Sequence, residues 1–191
     1  MVNVYDFDNT IYDWESSLHF FKFCVKKYPF VLKYAPKVIW TAILYKLNIL
    51  KKEDLIDTAK LAEDLIKKWG LINNDKLIKE FWEKHKDKLK PFMLKKLSSD
   101  DIIISATPRF VLEGIVDELK ISSKNLICSE FSDDWKVEFA CYGKNKVIAY
   151  KNKYGEQIVE EFYTDSKTDF PMIEISKNAF LVKWEKIEKL K

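Results

Sequence analysis

Near the start of the chain, residues 2–10 read Val2-Asn3-Val4-Tyr5-Asp6-Phe7-Asp8-Asn9-Thr10. Its first four residues are mostly β-branched or aromatic, which is typical of a short buried strand. The apolar run stops at Asp6, and Asp8 follows two residues later. In a continuing extended segment these two carboxylates would point to the same side of the chain. The stretch therefore predicts a buried strand that delivers two acids to one place.

Similar apolar runs recur along the rest of the chain. Residues 101–105 repeat the design, with Ile102-Ile103-Ile104 ahead of Ser105. Short runs of the same kind predict strands at 126–129, 158–164 and 179–183, and a hairpin arm at 135–142. Helical spacing predicts helices from Pro108 to about Lys120 and over 144–154. This alternation predicts an α/β fold, a Rossmann-like doubly wound parallel sheet.

The long interval between the first two predicted strands has a different pattern. Its apolar residues recur at helical spacing, as in Leu55, Ala59, Ala62, Ile66 and Trp69, with a stop at Gly70 and a continuation through Leu77, Phe81 and Leu89. We therefore predict a catalytic core formed by residues 1–13 and 99–191. Residues 14–98 are predicted to form a helical cap inserted after the first strand.

The predicted topology gathers polar residues at one edge of the sheet. Ligands of open parallel sheets bind beyond the carboxyl ends of the strands, where the loops converge. Three such loops begin at Asp6, Ser105 and Asp165. Clustered carboxylates favour a hard divalent cation with oxygen ligands, and Asp165 and Asp169 could complete its shell. A single Asp-x-Asp is equally typical of a helix cap or turn, so this pair alone does not decide the chemistry.

Four short motifs occur in order along the chain: Asp6-Phe7-Asp8-Asn9-Thr10, Ser105 after the three isoleucines, Lys146, and Asp165-Ser166-Lys167-Thr168-Asp169. The ordered set resembles the haloacid dehalogenase (HAD) superfamily over nearly the whole chain. Finer spelling resembles its phosphoserine-phosphatase-like branch, subfamily IB. That spelling is Ser105-Ala106-Thr107-Pro108, Cys141-Tyr142-Gly143 before Lys146, and a cap after the first motif.

The resemblance implies a Mg²⁺-dependent phosphatase. Asp6 would attack phosphorus and form an aspartyl phosphate, and Asp8 would protonate the leaving oxygen and later accept a proton from water. Relatives that dehalogenate or pump ions lack an aspartate at the position of Asp8, so the resemblance favours a phosphatase over those reactions. A phosphomutase, which needs the same proton transfer, is the lesser alternative.

The resemblance also assigns the remaining motif residues. Mg²⁺ would be held by the Asp6 side chain, the Asp8 backbone carbonyl and Asp165, with Asp169 steering a bound water or Lys146. Lys146 would offset the negative charge of the phosphate, and the neighbouring Lys144 stays open as the alternative motif lysine. The Ser105 hydroxyl and the Ala106 N–H would bind phosphate oxygens.

Several further residues are candidates for substrate binding. Asn9, Thr10 and Thr107 belong to the first two motifs. Glu15 has the spacing from Asp6 at which phosphoserine phosphatases carry a glutamate that meets the substrate amine, although an acid that begins a helix is the alternative. Arg109 could bind a substrate carboxylate or second phosphate through two parallel hydrogen bonds, or could be a surface residue.

The composition of the chain indicates what kind of protein it is and which partners it is expected to have. The 191 residues are 47% hydrophobic and 15% aromatic, enough for one domain or a domain with an insertion. A formal charge of +3 does not indicate a nucleic-acid partner, and the substrate we expect is a small phosphorylated metabolite. The three cysteines form no zinc-binding pattern, so we expect reduced thiols. The acidic start of the chain does not resemble a signal peptide, and we expect a cytoplasmic protein.

Two alternative functions remain open. Residues 28–50 mix bulky apolar side chains with lysines, which is typical of a packed cap helix or of a helix that lies on a membrane surface. The second case would favour a phosphatase that acts on phospholipid head groups. A catalytically silent, metal-binding scaffold with the same fold is the non-enzymatic alternative. The sequence indicates no oligomeric state.

Overall fold

The computed structural model describes residues 2–29, 75–132 and 137–191. In these ranges the strands are β1 (Val2–Tyr5), β2 (Ile102–Pro108), β3 (Leu126–Phe131), β4 (Val137–Phe139), β5 (Val159–Thr164), β6 (Ser176–Lys183) and β7 (Lys186–Lys189). The α-helices are α1 (Ser16–Lys27), α2 (Asp75–His85), α3 (Pro91–Leu94), α4 (Arg109–Glu113), α5 (Val116–Leu119), α6 (Lys144–Tyr154) and α7 (Phe170–Ile175). Short 3₁₀ turns lie at Lys86–Lys88, Ser123–Asn125 and Lys167–Asp169.

The strands form one sheet in the order β4-β3-β2-β1-β5-β6-β7. The five central strands are parallel to one another, which confirms the predicted α/β class. Both edge strands, β4 and β7, are antiparallel to their neighbours. Parallel neighbours need a long crossover, whereas β6 turns directly into β7 through Trp184 and Glu185 and so must reverse direction.

The central position of β1 explains where the polar loops meet. Val4 pairs with Ile102 of β2 on one side and with Phe162 of β5 on the other. Alternate residues face two hydrophobic clusters, so both faces of these strands are buried and their sequences are continuously apolar. Because β1, β2 and β5 run in the same direction, Asp6, Ser105 and Asp165 lie at the same edge of the sheet.

Most predicted elements of the core agree with the structure. The predicted helix over 144–154 is α6, and the strand predicted over 158–164 begins one residue later as β5. The predicted hairpin arm contains β4, although Trp135 lies outside the described residues. The last predicted strand begins earlier, at Ser176, and β7 was not predicted.

The single helix predicted over 108–120 is wrong, because two short helices, α4 and α5, take its place. Trp82 of α2 donates its indole N–H to the Val111 carbonyl at 2.6 Å. That carbonyl is the acceptor that the Ile115 N–H would need in a continuous α-helix. Ile115 instead donates to Leu112 at 3.1 Å, and the helix breaks at this point. A tertiary contact from α2 therefore overrides the local helical pattern.

The described ends of the predicted cap pack into the core of the sheet domain. Phe20 of α1 and Phe81 of α2 belong to the same hydrophobic cluster as Tyr5 and Ile103 of the sheet. Leu77 and Phe81 are buried on α2, whereas Leu89 lies beyond the helix and pairs with Tyr12. The predicted helical face from Leu55 to Gly70, and most of the segment 28–50, lie outside the described residues. The division into core and cap therefore stays a prediction.

Two further expectations concern thiols and membranes. Cys24, Cys128 and Cys141 are buried free thiols. In the described ranges, no helix combines the length and the apolar character that crossing a membrane requires.

Gly114 lies where the chain leaves α4, against helix α2. A Cβ atom at this position would lie 2.4 Å from Cγ2 of Ile78 and 2.8 Å from Cδ1 of Trp82. We expect Gly114→Ala to lower the free energy of unfolding by about 1 to 3 kcal/mol, because overpacking outweighs the smaller entropic gain from losing glycine. Thermal and urea unfolding would measure the change. Asp117→Ala on the exposed side of α5 is the control and should stay within about 0.5 kcal/mol of wild type. Equal stability of the Gly114 variant and wild type would contradict the packing argument.

Candidate active site

A buried lysine joins two aspartates at the carboxyl edge of the sheet. Lys146 Nζ donates to Asp6 Oδ1 at 2.7 Å and to Asp169 Oδ2 at 2.8 Å. Thr164 Oγ1 also donates to Asp169 Oδ2, at 2.9 Å. The side chains of Lys146, Asp6 and Asp169 are only 4%, 10% and 5% exposed. Charges so removed from water are stable only when they are paired and hydrogen-bonded.

Three elements hold this cluster in place. Asp6 follows β1 directly, and its N–H donates to the Tyr163 carbonyl of β5 at 2.8 Å. Lys146 lies in the first turn of α6, which starts after Gly143 at a φ of 55°, a left-handed conformation that favours glycine. Of the two candidate motif lysines, the structure brings Lys146 to Asp6, whereas Lys144 is exposed.

The charges of the cluster are not balanced. Burial raises the pKa of Asp6 to about 7, although the attraction of Lys146 offsets part of this rise. Burial alone would lower the pKa of Lys146, but Asp6 and Asp169 outweigh that effect, so its pKa is raised. The ammonium therefore stays protonated, whereas full ionisation of the acids around it is disfavoured by their burial and mutual repulsion.

Asp8 is held by a different set of partners. Its Oδ1 accepts the Ser16 N–H at 2.7 Å, and its Oδ2 accepts the Thr107 hydroxyl at 2.8 Å. The Ser16 hydroxyl lies 2.8 Å from Thr107 Oγ1 and links the two partners. Because Ser16 is the first residue of α1, the Asp8 carboxylate caps the N-terminus of that helix.

The surroundings of Asp8 also shift its protonation. Burial raises the pKa of Asp8, and the hydrogen bonds from Ser16 and Thr107 offset only part of the rise. A carboxyl group with a raised pKa, close in sequence to a second carboxylate with other partners, suits proton transfer. The geometry thus separates an Asp6 held by a cation from an Asp8 held by neutral donors.

The end of β2, from Ser105 onwards, contacts Asp8 through Thr107, and the loop predicted to begin at Ser105 is part of that strand. Ser105 is buried, and its Oγ accepts the Thr107 N–H at 3.1 Å. Ala106 is exposed, and its carbonyl accepts the Ser129 hydroxyl at 2.7 Å. Thr107 was predicted to contact substrate. In the structure this residue is wholly buried, and its hydroxyl donates a hydrogen bond to Asp8.

Asp165 approaches the same cluster from the end of β5. Its carboxyl group is partly buried, and burial raises its pKa. The charge of Asp169 raises the pKa further, Lys146 lowers it, and Asp8 makes a smaller contribution in the upward direction. Asp165 is therefore close enough to interact electrostatically with Asp169 and Lys146 and, more weakly, with Asp8.

Three other predicted site residues lie in the segment between β1 and α1. Asn9 Nδ2 donates to Glu15 Oε1 at 3.3 Å, and the Glu15 side chain is exposed. Thr10 is fully buried, and within the described residues its Oγ1 has no hydrogen-bond partner. The structure therefore keeps Asn9 and Glu15 together at the surface of the loop and Thr10 beneath it.

Arg109 is not brought to the aspartates. Its Nε donates to Glu130 Oε1 at 2.7 Å, and its Nη2 donates to the Leu126 carbonyl at 3.2 Å. The side chain lines a cavity of about 220 Å³ beside β3, and none of the lining residues belongs to the Asp6 cluster. Glu130 and the Leu126 carbonyl hold the guanidinium in this structure, and a contact between Arg109 and substrate stays a prediction.

Sequence reasoning missed three residues that hold the site. Ser16 caps Asp8, Thr164 hydrogen-bonds Asp169, and Lys90 Nζ donates to the main-chain oxygen of Asn9. Thr164 stands directly before Asp165, so its place next to the fourth motif was a usable signal. Lys90 lies far from every motif in sequence, and no local pattern identifies it.

The donor set can be tested against the Mg²⁺ that the sequence predicts. In the parts of the chain that the structure covers, no three His, Cys, Asp or Glu side chains form a metal cluster. The predicted set needs fewer, since it uses the carboxylates of Asp6 and Asp165 and the Asp8 carbonyl. Mg²⁺ keeps several waters and commonly binds through one or two carboxylates. Because Asp6, Asp169 and Asp165 have one buried ammonium, that of Lys146, as their common positive neighbour, a divalent cation would supply further positive charge, and the residues fit it.

Comparison with known proteins identifies the family. The model of the haloacid dehalogenase-like hydrolases matches residues 4–174. A protein of unknown function from Bordetella pertussis Tohama I has a similar structure, with a TM-score of 0.70, 15% identity and coverage of 93% of this chain and 87% of that chain. No curated protein matches the sequence significantly.

Two other solved structures have the same fold. A phosphoserine phosphohydrolase-like protein from Francisella tularensis subsp. tularensis SCHU S4 has a TM-score of 0.57, 19% identity and coverage of 94% of this chain and 86% of that chain. Cytosolic 5′-nucleotidase IIIB bound to cytidine has a TM-score of 0.55, 13% identity and coverage of 93% and 69%. With a family match that spans most of its length, the chain belongs to the haloacid dehalogenase-like hydrolases.

Proposed function

We propose that this protein is a Mg²⁺-dependent phosphatase that hydrolyses a small phosphomonoester through an aspartyl phosphate on Asp6. The observation that carries the proposal is the separate fixing of two neighbouring carboxyl groups. Asp6 is paired with a buried ammonium, whereas Asp8 accepts hydrogen bonds from an N–H and a hydroxyl. Two acids in such different surroundings are suited to two different roles.

Asp6 is the nucleophile in this proposal. Lys146 holds Oδ1, and within the described residues Oδ2 has no hydrogen-bond partner, so we assign Oδ2 to the attack. A bond forms between Oδ2 and phosphorus while the bond from phosphorus to the leaving oxygen breaks. Bound Mg²⁺, held by Asp6, Asp165 and the Asp8 carbonyl, would supply positive charge that lets the phosphate approach a carboxylate.

Asp8 moves the protons. It gives a proton to the leaving oxygen in the first step, and as a carboxylate it accepts a proton from the water that attacks phosphorus in the second. The second step releases phosphate and restores the Asp6 carboxylate. We assign the binding of phosphate oxygens to the hydroxyl of Ser105, which is buried, and to the N–H of Ala106, which is exposed.

The substrate class follows from the same site. Residues that bind phosphate are indifferent to the leaving group, so we propose that the predicted cap at 14–98 selects a small phosphorylated metabolite. The fold is shared with a phosphoserine phosphohydrolase-like protein and with a nucleotidase bound to cytidine, which supports this class. Glu15 remains a candidate for a substrate amine, since it is exposed at the start of α1.

The silent-scaffold alternative is disfavoured because Asp6, Asp8, Lys146 and Asp165 are retained together. Loss of any one of them would stop the proposed reaction. No observation on the described residues favours the phospholipid alternative, and the segment that suggested it lies mostly outside them.

Hydrolysis of a generic aryl phosphate is expected to require Mg²⁺. Without the ion, the excess negative charge of four aspartates would repel the substrate phosphate. Steady-state assays in Mg²⁺ and in excess EDTA, followed by re-addition of Mg²⁺, measure the dependence. Full activity in EDTA would remove the metal from the mechanism.

Asp6→Asn is expected to lower kcat by more than about a thousandfold, because an amide does not attack phosphorus. The fold should persist, since Lys146 keeps its bond to Asp169 and the site loses one excess charge. Circular dichroism and thermal unfolding check the fold. Asp13→Asn, at an exposed position of the same loop, is the matched control and should retain activity. Substantial turnover by a folded Asp6 variant would disprove the nucleophile.

Asp8→Asn should distinguish leaving groups. An aryl oxygen departs with little protonation, whereas an alkyl oxygen needs the acid, so alkyl ester hydrolysis should fall at least about tenfold more than aryl ester hydrolysis. Because Asp8 is also needed to activate water, the aryl substrate should give a burst and phosphorylated Asp6, detectable by quenched flow and mass spectrometry. Equal losses with no trapped intermediate would count against Asp8 as the acid.

A further inference from the structure

Lys90 belongs to a short segment that leads from α2 back to the sheet. Its N–H donates to the Ile11 carbonyl at 2.7 Å, and the Asp13 N–H donates to the Lys88 carbonyl at 2.8 Å. Between these bonds, Tyr12 and Leu89 form an antiparallel bridge. The segments 11–13 and 88–90 therefore form a narrow two-stranded ribbon next to the first motif, and the backbone of Lys90 is fixed.

The side chain of Lys90 turns back into the first motif. Its Nζ donates to the main-chain oxygen of Asn9. Burial lowers the pKa of Lys90, and the carboxylates of Asp13 and Asp165 offset only part of this effect. A surface lysine normally extends its ammonium into water. Lys90 instead keeps a partly buried charge on a neutral carbonyl, which costs solvation energy that a purely surface role would not require.

Asn9 is a residue whose backbone needs such support. Its φ is 57°, in the left-handed region that non-glycine residues enter only at a cost in free energy. Its N–H donates to the Trp14 carbonyl at 3.3 Å, and its carbonyl accepts from Lys90. Both polar groups of this peptide turn are thereby engaged, and the turn follows Asp8 directly.

Asp8 is consequently held from two sides. Ser16 and Thr107 hold its carboxylate oxygens, and the Asn9 turn fixes the main chain from which that carboxylate extends. Without the ammonium of Lys90, the Asn9 carbonyl would lose its partner and the turn could relax out of the left-handed region. The carboxylate of Asp8 would then lose its fixed direction while the buried pair of Asp6 and Lys146 stayed intact.

We infer that Lys90 is a positioning residue for Asp8, acting through the Asn9 carbonyl and outside the four motifs. The inference rests on the proposed role of Asp8 as general acid. Lys90 does not touch the reacting atoms in this account. It ties the orientation of the acid to the ribbon that connects the helical region with the sheet.

The test compares leaving groups in Lys90→Met, which keeps the length of the side chain and removes the charge and the donor. Loss of folded protein alone would lower aryl and alkyl ester hydrolysis by the same factor. A misdirected acid should instead lower kcat/KM for an alkyl phosphate about tenfold more than for an aryl phosphate. Lys90→Arg, which retains a cationic donor, should restore the wild-type ratio to within about twofold.

Lys88→Met is the matched control, because Lys88 lies two residues away on the same ribbon and contributes only its carbonyl to it. Its aryl-to-alkyl ratio should equal that of wild type. Lys90→Leu, which also lacks a donor, replaces the methionine variant if the latter fails to fold in thermal unfolding. In an active wild type with an inactive Asp6→Asn variant, an unchanged ratio at Lys90 overturns this inference alone. An inactive wild type overturns the proposed function and this inference together.

Discussion

The bonds from Lys146 to Asp6 and Asp169 are the interaction on which the site depends. They connect α6, the end of β1 and the turn after β5, three elements that are not adjacent in the sequence. Removing one partner of a buried ion pair costs about 3 to 5 kcal/mol, because the remaining charge is left without compensation. The sheet order makes the pairing possible, since β1 and β5 are neighbours and deliver their carboxyl ends to one edge. The sheet order therefore brings the charged partners together, and their pairing in turn stabilises the fold.

The same pairing leaves the site with a surplus of negative charge. Burial raises the pKa of Asp6, Asp8 and Asp165, so these carboxyl groups are not fully ionised together unless further positive charge is present. A protein rarely keeps such a cluster for stability, because uncompensated buried charge lowers the free energy of unfolding. The surplus is understandable where a divalent cation and a phosphate bind in turn, since each supplies the charge that the other lacks.

The sequence predicted the parts of this arrangement that depend on local pattern. The apolar runs before Asp6 and Ser105, and the helix that carries Lys146, were readable because buried parallel strands and amphipathic helices leave periodic signals. The break between α4 and α5 was not readable, because it depends on an indole that arrives from α2. The partner of Arg109 was not readable for a similar reason, since Glu130 becomes its partner only when β3 lies beside α4. Contacts between segments that are distant in sequence leave no local pattern, so a single sequence does not predict them.

The two acids differ in which part of the chain supports them. Asp6 depends on β5 and α6, which belong to the predicted core. Asp8 depends on Thr107 of the predicted core, but also on Ser16 at the start of α1 and, through Asn9, on Lys90, and the last two residues lie within the interval predicted as the cap. In the proposed mechanism, a displacement of the helical region would thus disturb the general acid before it disturbed the nucleophile. Because the leaving group is the part of a phosphomonoester that varies, proton delivery to it is the step that such a coupling could regulate.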